Sequence, residues 1–182
     1  MKILFVCTGN ICRSPMAAQM LTQMLATVPA QDKVEVASAG SGALESFPLD
    51  PKAGTALVRL GFAQLTHRAT QLTADLVANA DLILASTVEQ RGQVVELLVR
   101  ANRYTFTLKE FGHLAEYELA NRSTDSETDL ASRLAETISL RGFASLDEDQ
   151  DIGDPYKKDQ AAFDKAAVQT QAALRMVTEW LQ

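Results

Sequence analysis

Hydrophobic positions along this chain follow two rhythms that alternate. Lys2 to Val6 is a short apolar run that ends at a glycine-bearing loop, the pattern of a buried strand. Beyond Pro15 the period lengthens, and Ala17, Met20, Leu21, Met24 and Val28 recur at helical spacing. Pro15 suits a first helical position and Ser14 the N-cap before it. The first unit therefore reads as strand, loop 7–14 and helix.

The alternation continues. Val34 to Ala37 reads as a second strand, and Gly40 to Asp50 as a loop rich in Gly, Ser and Pro. Asp50 and Pro51 start a helix that stops at Gly61. Leu72 to Ala80 reads as a short helix, Asp81 to Ala85 as a third strand, Val88 to Val99 as a helix and Tyr104 to Leu108 as a fourth strand. A last helix runs from Gln160 to Leu181, with Phe163, Ala166, Ala167, Thr170, Leu174, Val177 and Leu181 on one face. Strands alternating with helices imply parallel pairing through right-handed crossovers. The predicted fold is α/β: a small, doubly wound, four-stranded parallel sheet with helices on both faces. Asn121 to Glu127 is polar, Leu130, Leu134, Ile138 and Leu140 suggest a short helix, and Leu146 to Asp154 is strongly acidic. Residues 113–150 are expected to form a long connection holding one extra helix, within one domain spanning 1–182.

Composition narrows the chemistry. A net charge of −6 gives no electrostatic footprint for nucleic acid or an anionic membrane. An anionic substrate must then be drawn by a local positive field. The apolar run at the N-terminus is too short for a signal peptide, and no stretch approaches the length of a membrane span. The two cysteines, Cys7 and Cys12, are too few for a disulfide framework. His67 and His113 lack paired ligand spacing, so neither a metal nor another cofactor is expected. An exposed thiol points to a reducing cytoplasm.

The chemistry-bearing motif is C-T-G-N-I-C-R-S-P, Cys7 to Pro15. A loop that joins a strand to a helix N-terminus offers unpaired N–H groups and the positive end of the helix dipole to an anion. Gly9 is expected to turn the backbone with positive φ, so that the N–H groups of Thr8, Gly9, Asn10, Ile11, Cys12, Arg13 and Ser14 face one centre. Arg13 supplies a fork of donors matched to two phosphate oxygens. The same field favours thiolate at Cys7, placed for in-line attack on phosphorus. Asn10 is either a turn residue or an amide that braces the loop. A phosphate ester also needs an acid for its leaving group. Asp154 in D-I-G-D-P-Y is one carboxylate and Asp151 another, while local pattern alone reads as an acidic turn. Tyr156 is placed to form an aromatic wall.

These residues carry a resemblance. The first motif, then A-S-A-G at 37–40, L-D-P-K-A at 49–53, T-H-R-A at 66–69, A-D-L-I-L-A at 80–85 and D-P-Y at 154–156 follow the order of the low-molecular-weight protein tyrosine phosphatases. The match covers about residues 1–112 and 151–182. It implies a flavodoxin-like sheet and hydrolysis of phosphotyrosine through a phosphocysteine. By its pattern Cys7 is the nucleophile, Arg13 the phosphate clamp and Asp154 the acid and then the base. Ser14 would bond the thiolate, and Asn10 would brace the loop with Ser38 and His67. Cys12 resembles the protective partner of an oxidised Cys7. The implied partners are a phosphorylated protein substrate and a cognate tyrosine kinase.

Two departures stand out. The link before D-P-Y is long, and Lys157 follows Tyr156 where relatives often carry a second Tyr or a Gly. A lysine at that point favours acidic flanks on a substrate. Three other readings use the same loop. A thiol-dependent arsenate reductase needs relay cysteines beyond Cys12. A protein arginine phosphatase typically has Thr where this chain has Ile11, and an apolar Ile11 suits a phenyl ring better. A non-catalytic oxyanion-binding module would not need Cys7, Arg13 and Asp154 together. The glycines at 40–42 lack the third glycine of a dinucleotide loop.

Overall fold

In a computed structural model, the four strands all pair in parallel in the order β2-β1-β3-β4. They are β1 (Lys2–Cys7), β2 (Glu35–Gly40), β3 (Leu82–Ala85) and β4 (Thr105–Thr107). The structure describes residues 1–26, 34–122, 129–142 and 149–182, so Val28, residues 123–127 of the polar segment and residues 146–148 of the acidic one lie outside the described residues. Among the described residues seven α-helices accompany the sheet: α1 (Arg13–Leu25), α2 (Pro51–Arg59), α3 (Ala74–Ala78), α4 (Val88–Leu97), α5 (Leu108–Asn121), α6 (Leu130–Ser139) and α7 (Gln160–Trp180).

Alternation along the strands sorts side chains into two layers. Ile3, Phe5, Leu82, Leu84 and Phe106 join the larger core with residues of α1, α2, α5 and α7. Leu4, Val6 and Ile83 join the smaller one with Leu72, Val77, Val94 and Ala101. The strand order reverses direction at β1, and ligands of open α/β sheets bind outside the carboxyl ends of the strands at such a point. Cys7 ends β1 there.

Helix ends follow local chemistry. The Asp50 side chain caps α2 by accepting from Lys52 N at 2.8 Å, with Pro51 as the first helical residue. Gly61, at φ +86°, closes that helix as Gly61 N donates to Val58 O and Phe62 N to Leu57 O.

Four expectations are corrected. First, α1 begins at Arg13, its N-cap position is Cys12, and Ser14 makes no capping bond because its hydroxyl is turned toward Cys7. Pro15 is the third helical residue, still within the turn whose N–H groups have no helical partner. Second, the helix at Leu72 to Ala80 is shorter, because Thr73 caps it by accepting from Leu76 N. Third, Val99 belongs to a 3-10 turn, Val99–Arg103. Fourth, Leu108 opens α5 instead of closing β4, because Thr107 and Glu110 form a reciprocal capping box. Residues 113–150 thus hold most of α5 as well as α6. Phe111 of α5 packs edge-on between Phe106 and Trp180, at centroid distances of 5.5 and 5.2 Å.

Candidate active site

The loop from Cys7 to Cys12 is organised by where its carbonyls go. Each one accepts a bond on the outside of the loop: Cys7 O from Ser41 N (2.9 Å), Thr8 O from Gly42 N (3.0 Å) and Gly9 O from Leu44 N (3.1 Å). Ile11 O accepts from Asp50 N (2.9 Å) and Cys12 O from Met16 N (3.1 Å). Asn10 O faces His67 Nε2 at 2.6 Å. A carbonyl has no proton to give, so His67 Nε2 carries the hydrogen and donates. In a trans peptide the N–H points opposite to the C=O. Six outward carbonyls therefore turn the following N–H groups, from Thr8 to Arg13, toward the loop's centre. Among the described residues none from Gly9 to Ser14 donates to a protein acceptor. Such a ring of donors at a helix N-terminus suits an oxyanion.

The left-handed residue of the loop is Asn10, at φ +53°, and not Gly9 as the sequence suggested. Asn tolerates this region because its short polar side chain bonds locally. Here Asn10 Nδ2 donates to Ser14 Oγ (2.9 Å) and Ser38 Oγ (3.0 Å), and Asn10 Oδ1 accepts from Thr70 N (2.8 Å). The residue that makes the left-handed turn thus also bonds across the loop through its amide. The glycine that the geometry demands is Gly40 on β2: a Cβ there would press into the Thr8 carbonyl oxygen and lie 3.0 Å from Asn10 N.

Cys7 is buried, with its Sγ 2.9 Å from Ser14 Oγ. Asn10 Nδ2 donates into that hydroxyl, whose one proton has two acceptors in reach, the sulfur at 2.9 Å and Ala39 O at 3.4 Å. A thiolate accepts only, and Ser14 is then the donor. Arg13 is buried as well. Its Nη1 donates to Ile152 O at 3.2 Å and its Nη2 pairs with Asp154 Oδ1 at 3.1 Å. Its Nε is buried and has no partner among the described residues, a donor that a phosphate oxygen would satisfy.

Asp154 reaches this place through its neighbours. Ile152 is buried and its N–H donates to Ser86 O (2.8 Å), which lays residues 151–154 along the end of β3. The competing carboxylate is engaged elsewhere: Asp151 Oδ1 accepts from Val88 N (2.8 Å) at the start of α4. Cys7, Thr8, Gly9, Ile11, Cys12, Arg13, Asp154 and Tyr156 line one cavity of about 190 Å³, together with Gly42 and Leu44. A larger cavity of about 580 Å³ between α5 and α7 contains none of these residues.

Two neighbours have shifted protonation. Burial, reinforced by the charges of Asp50, Cys7 and Asp154, pushes the Cys12 thiol up to about 12, so it stays protonated at neutral pH. Burial lowers His67 below the usual histidine value, against the opposing effect of its bond to Asn10 O, and leaves the ring neutral. Leu44, Gly40 and Gln90, whose Nε2 donates to Thr8 Oγ1 (3.0 Å), were not anticipated. Gly40 was legible in A-S-A-G as a close-approach glycine, whereas Leu44 and Gln90 had no sequence signal.

Comparison with known proteins finds a family for the chain. The family model for low molecular weight phosphotyrosine protein phosphatase matches residues 2–131. The chain belongs to that family. Its relatives include a probable low molecular weight protein-tyrosine-phosphatase EpsP of Ralstonia solanacearum, 35% identical over 98% of this chain and 92% of the relative. Another is a protein-arginine-phosphatase of Geobacillus stearothermophilus, 37% identical over 75% of this chain and 95% of the relative. Among solved structures, the low molecular weight protein tyrosine phosphatase from T. tengcongensis superposes with a TM-score of 0.71 at 27% identity, covering 98% of both chains. As a low molecular weight phosphatase the chain is a phosphoric monoester hydrolase. No described helix is long and apolar enough to cross a membrane.

Proposed function

We propose that this phosphatase removes phosphate from tyrosine side chains of proteins through a phosphocysteine at Cys7. The observation that carries the reading is the wall of the cavity above Cys7, where Ile11, Leu44 and Tyr156 give apolar sides to a slot floored by backbone donors. A phenyl ring fills such a slot without leaving a polar group unpaired.

The chemistry runs in two steps. The phosphate lies among the loop N–H groups and Arg13, and competes with Asp154 for the guanidinium. Cys7 thiolate attacks phosphorus as the bond to the tyrosine oxygen breaks, and Asp154 gives that oxygen a proton. Asp154 then takes a proton from water, whose oxygen attacks the phosphocysteine. Inorganic phosphate leaves and the thiolate is regenerated, with Ser14 Oγ donating to it. Ser38 and His67 act on Asn10, not on substrate.

One relative in the same range of identity is named an arginine phosphatase, and phosphoarginine is the second reading. Ile11 opposes it, since a guanidinium against Ile11 would lose hydrogen bonds made in water. Cys12 is the partner we assign to an oxidised Cys7. Peroxide converts the Cys7 thiol to sulfenic acid, and condensation with the Cys12 thiol would yield a disulfide and water. The substrate is a phosphorylated protein, a cognate tyrosine kinase its source, and the cytoplasm the compartment that keeps the thiol reduced.

The test compares rates on matched phosphotyrosine, phosphoarginine and phosphoserine peptides, with Cys7→Ser as control. Phosphotyrosine should be hydrolysed fastest. A faster phosphoarginine reaction would replace the reading with the second one.

A further inference from the structure

The turn that carries Tyr156 holds a lysine in a conformation that favours glycine. Lys158 N donates to Pro155 O at 2.9 Å, closing a turn over residues 155–158, and Lys157 stands in it at φ +61°. A positive φ at the third position of a turn is ordinary for Gly or Asn and strained for a lysine. Backbone strain retained beside a functional cavity is grounds for a functional hypothesis.

The strained residue places its charge at the cavity mouth. Lys157 Nζ lies 5.2 Å from the centroid of the Tyr156 ring, and Tyr156 lines the cavity above Cys7. No described carboxylate pairs with Lys157. The acids nearby in the chain or the site are committed: Asp154 to Arg13, Asp151 to the start of α4, Asp50 to α2 and Asp159 to α7. A second ammonium, Lys52 Nζ, donates to Lys158 O at 2.6 Å and adds its charge to the same turn. Two ammonium groups, those of Lys157 and Lys52, thus stand at the turn that carries Tyr156.

We propose that Lys157 is a specificity residue that selects phosphotyrosine sites flanked by a carboxylate. Tyr156 packs against the aryl ring while the ammonium above it receives a Glu or Asp neighbour of that tyrosine. The proposal rests on the phosphotyrosine reading above.

The test uses two phosphotyrosine peptides, identical except for Glu or Gln on both sides of the tyrosine. kcat/KM is measured for wild type, Lys157→Asn, Lys157→Arg and Lys2→Gln. Asn removes the charge yet tolerates positive φ. Lys2→Gln makes the same change in net charge at the opposite end of β1. Wild type should prefer the Glu peptide by about two- to fivefold at low salt, through KM, with the preference shrinking as salt screens it. Lys157→Asn should lose the preference, while Lys157→Arg and Lys2→Gln should keep it. Equal rates on the two peptides in wild type, or a preference that survives Lys157→Asn, overturns the proposal alone. Failure to hydrolyse either peptide overturns the phosphotyrosine reading and the proposal with it.

Discussion

The loop from Cys7 to Ser14 and the helical stretch formed by α5, α6 and the 3-10 turn Leu140–Gly142 are fixed by different means. In the loop, backbone carbonyls and the Asn10 amide hold the shape, with partners on β2, on the 41–50 loop and at 67–70. In the helical stretch, side chains do it. Glu118 and Arg133 form a buried bidentate pair at 3.1 and 2.9 Å. Arg133 lies 5.3 Å from the Trp180 ring, and Trp180 Nε1 donates to Thr137 Oγ1 at 2.9 Å. Arg141 pairs with buried Glu110 and donates to Asn102 O and Thr105 O beside the edge strand β4. The loop is shaped so that donors remain unsatisfied toward one centre, whereas the helical stretch satisfies every polar group named here. The first arrangement serves binding and the second serves cohesion. Substitutions should therefore separate into those that stop turnover and those that loosen the fold.

The largest effect belongs to the loop. Cys7→Ser should lower turnover of p-nitrophenyl phosphate on the order of 10⁴-fold or more, since it removes the nucleophile. Phosphate binding by calorimetry should persist, because the carbonyl pattern does not involve sulfur. Near-normal turnover in this variant would remove Cys7 from the mechanism.

Asp154→Asn should slow a substrate with a poor leaving group by roughly 10²–10⁴-fold and an activated aryl phosphate much less. The same pattern in Asp151→Asn but not in Asp154→Asn would transfer the role to the carboxylate at α4.

On the cohesive side, Arg133→Met strands the Glu118 carboxylate in a buried site. It should cost about 3–5 kcal/mol in urea unfolding. Adding Glu118→Leu should recover most of that loss, as an apolar pair needs no compensation. The folded single variant should keep its kcat. A fall in kcat without a fall in stability would show that the two regions are coupled.

The smallest effect returns to the loop through His67, which donates to Asn10 O. Its folded pKa is lowered, so the unfolded chain takes up the proton more readily than the native one. The stability due to neutral His67 is complete above about pH 6.5 and is lost as pH falls below it. Thermal unfolding followed from pH 7.5 to 5.5 should show a decline that is shallower in His67→Gln, where the amide can still donate to Asn10 O. Parallel curves for the two proteins would mean that His67 does not report the loop's acid sensitivity.

What the sequence determined by itself is what short-range chemistry encodes. The apolar rhythm set the four parallel strands and the long final helix, because burial on one or both faces leaves a period in the chain. The Cys7-to-Pro15 spacing set the anion loop, since its thiol, arginine and helix start are contiguous. The capping box at Thr107 to Glu110 was also written there, but the apolar run Thr105 to Leu108 masked it. Tertiary structure decided the rest. That Asn10 and not Gly9 takes the left-handed turn depends on Ser38, His67 and Thr70, each at least 28 residues away. That Asp154 meets Arg13 while Asp151 caps α4 depends on Ile152 lying along β3. Lys157 stands over the Tyr156 ring only because a turn closed between Pro155 O and Lys158 N holds it there. A side chain's partner is chosen by the crossing of distant segments, and residue type alone carries no record of that crossing.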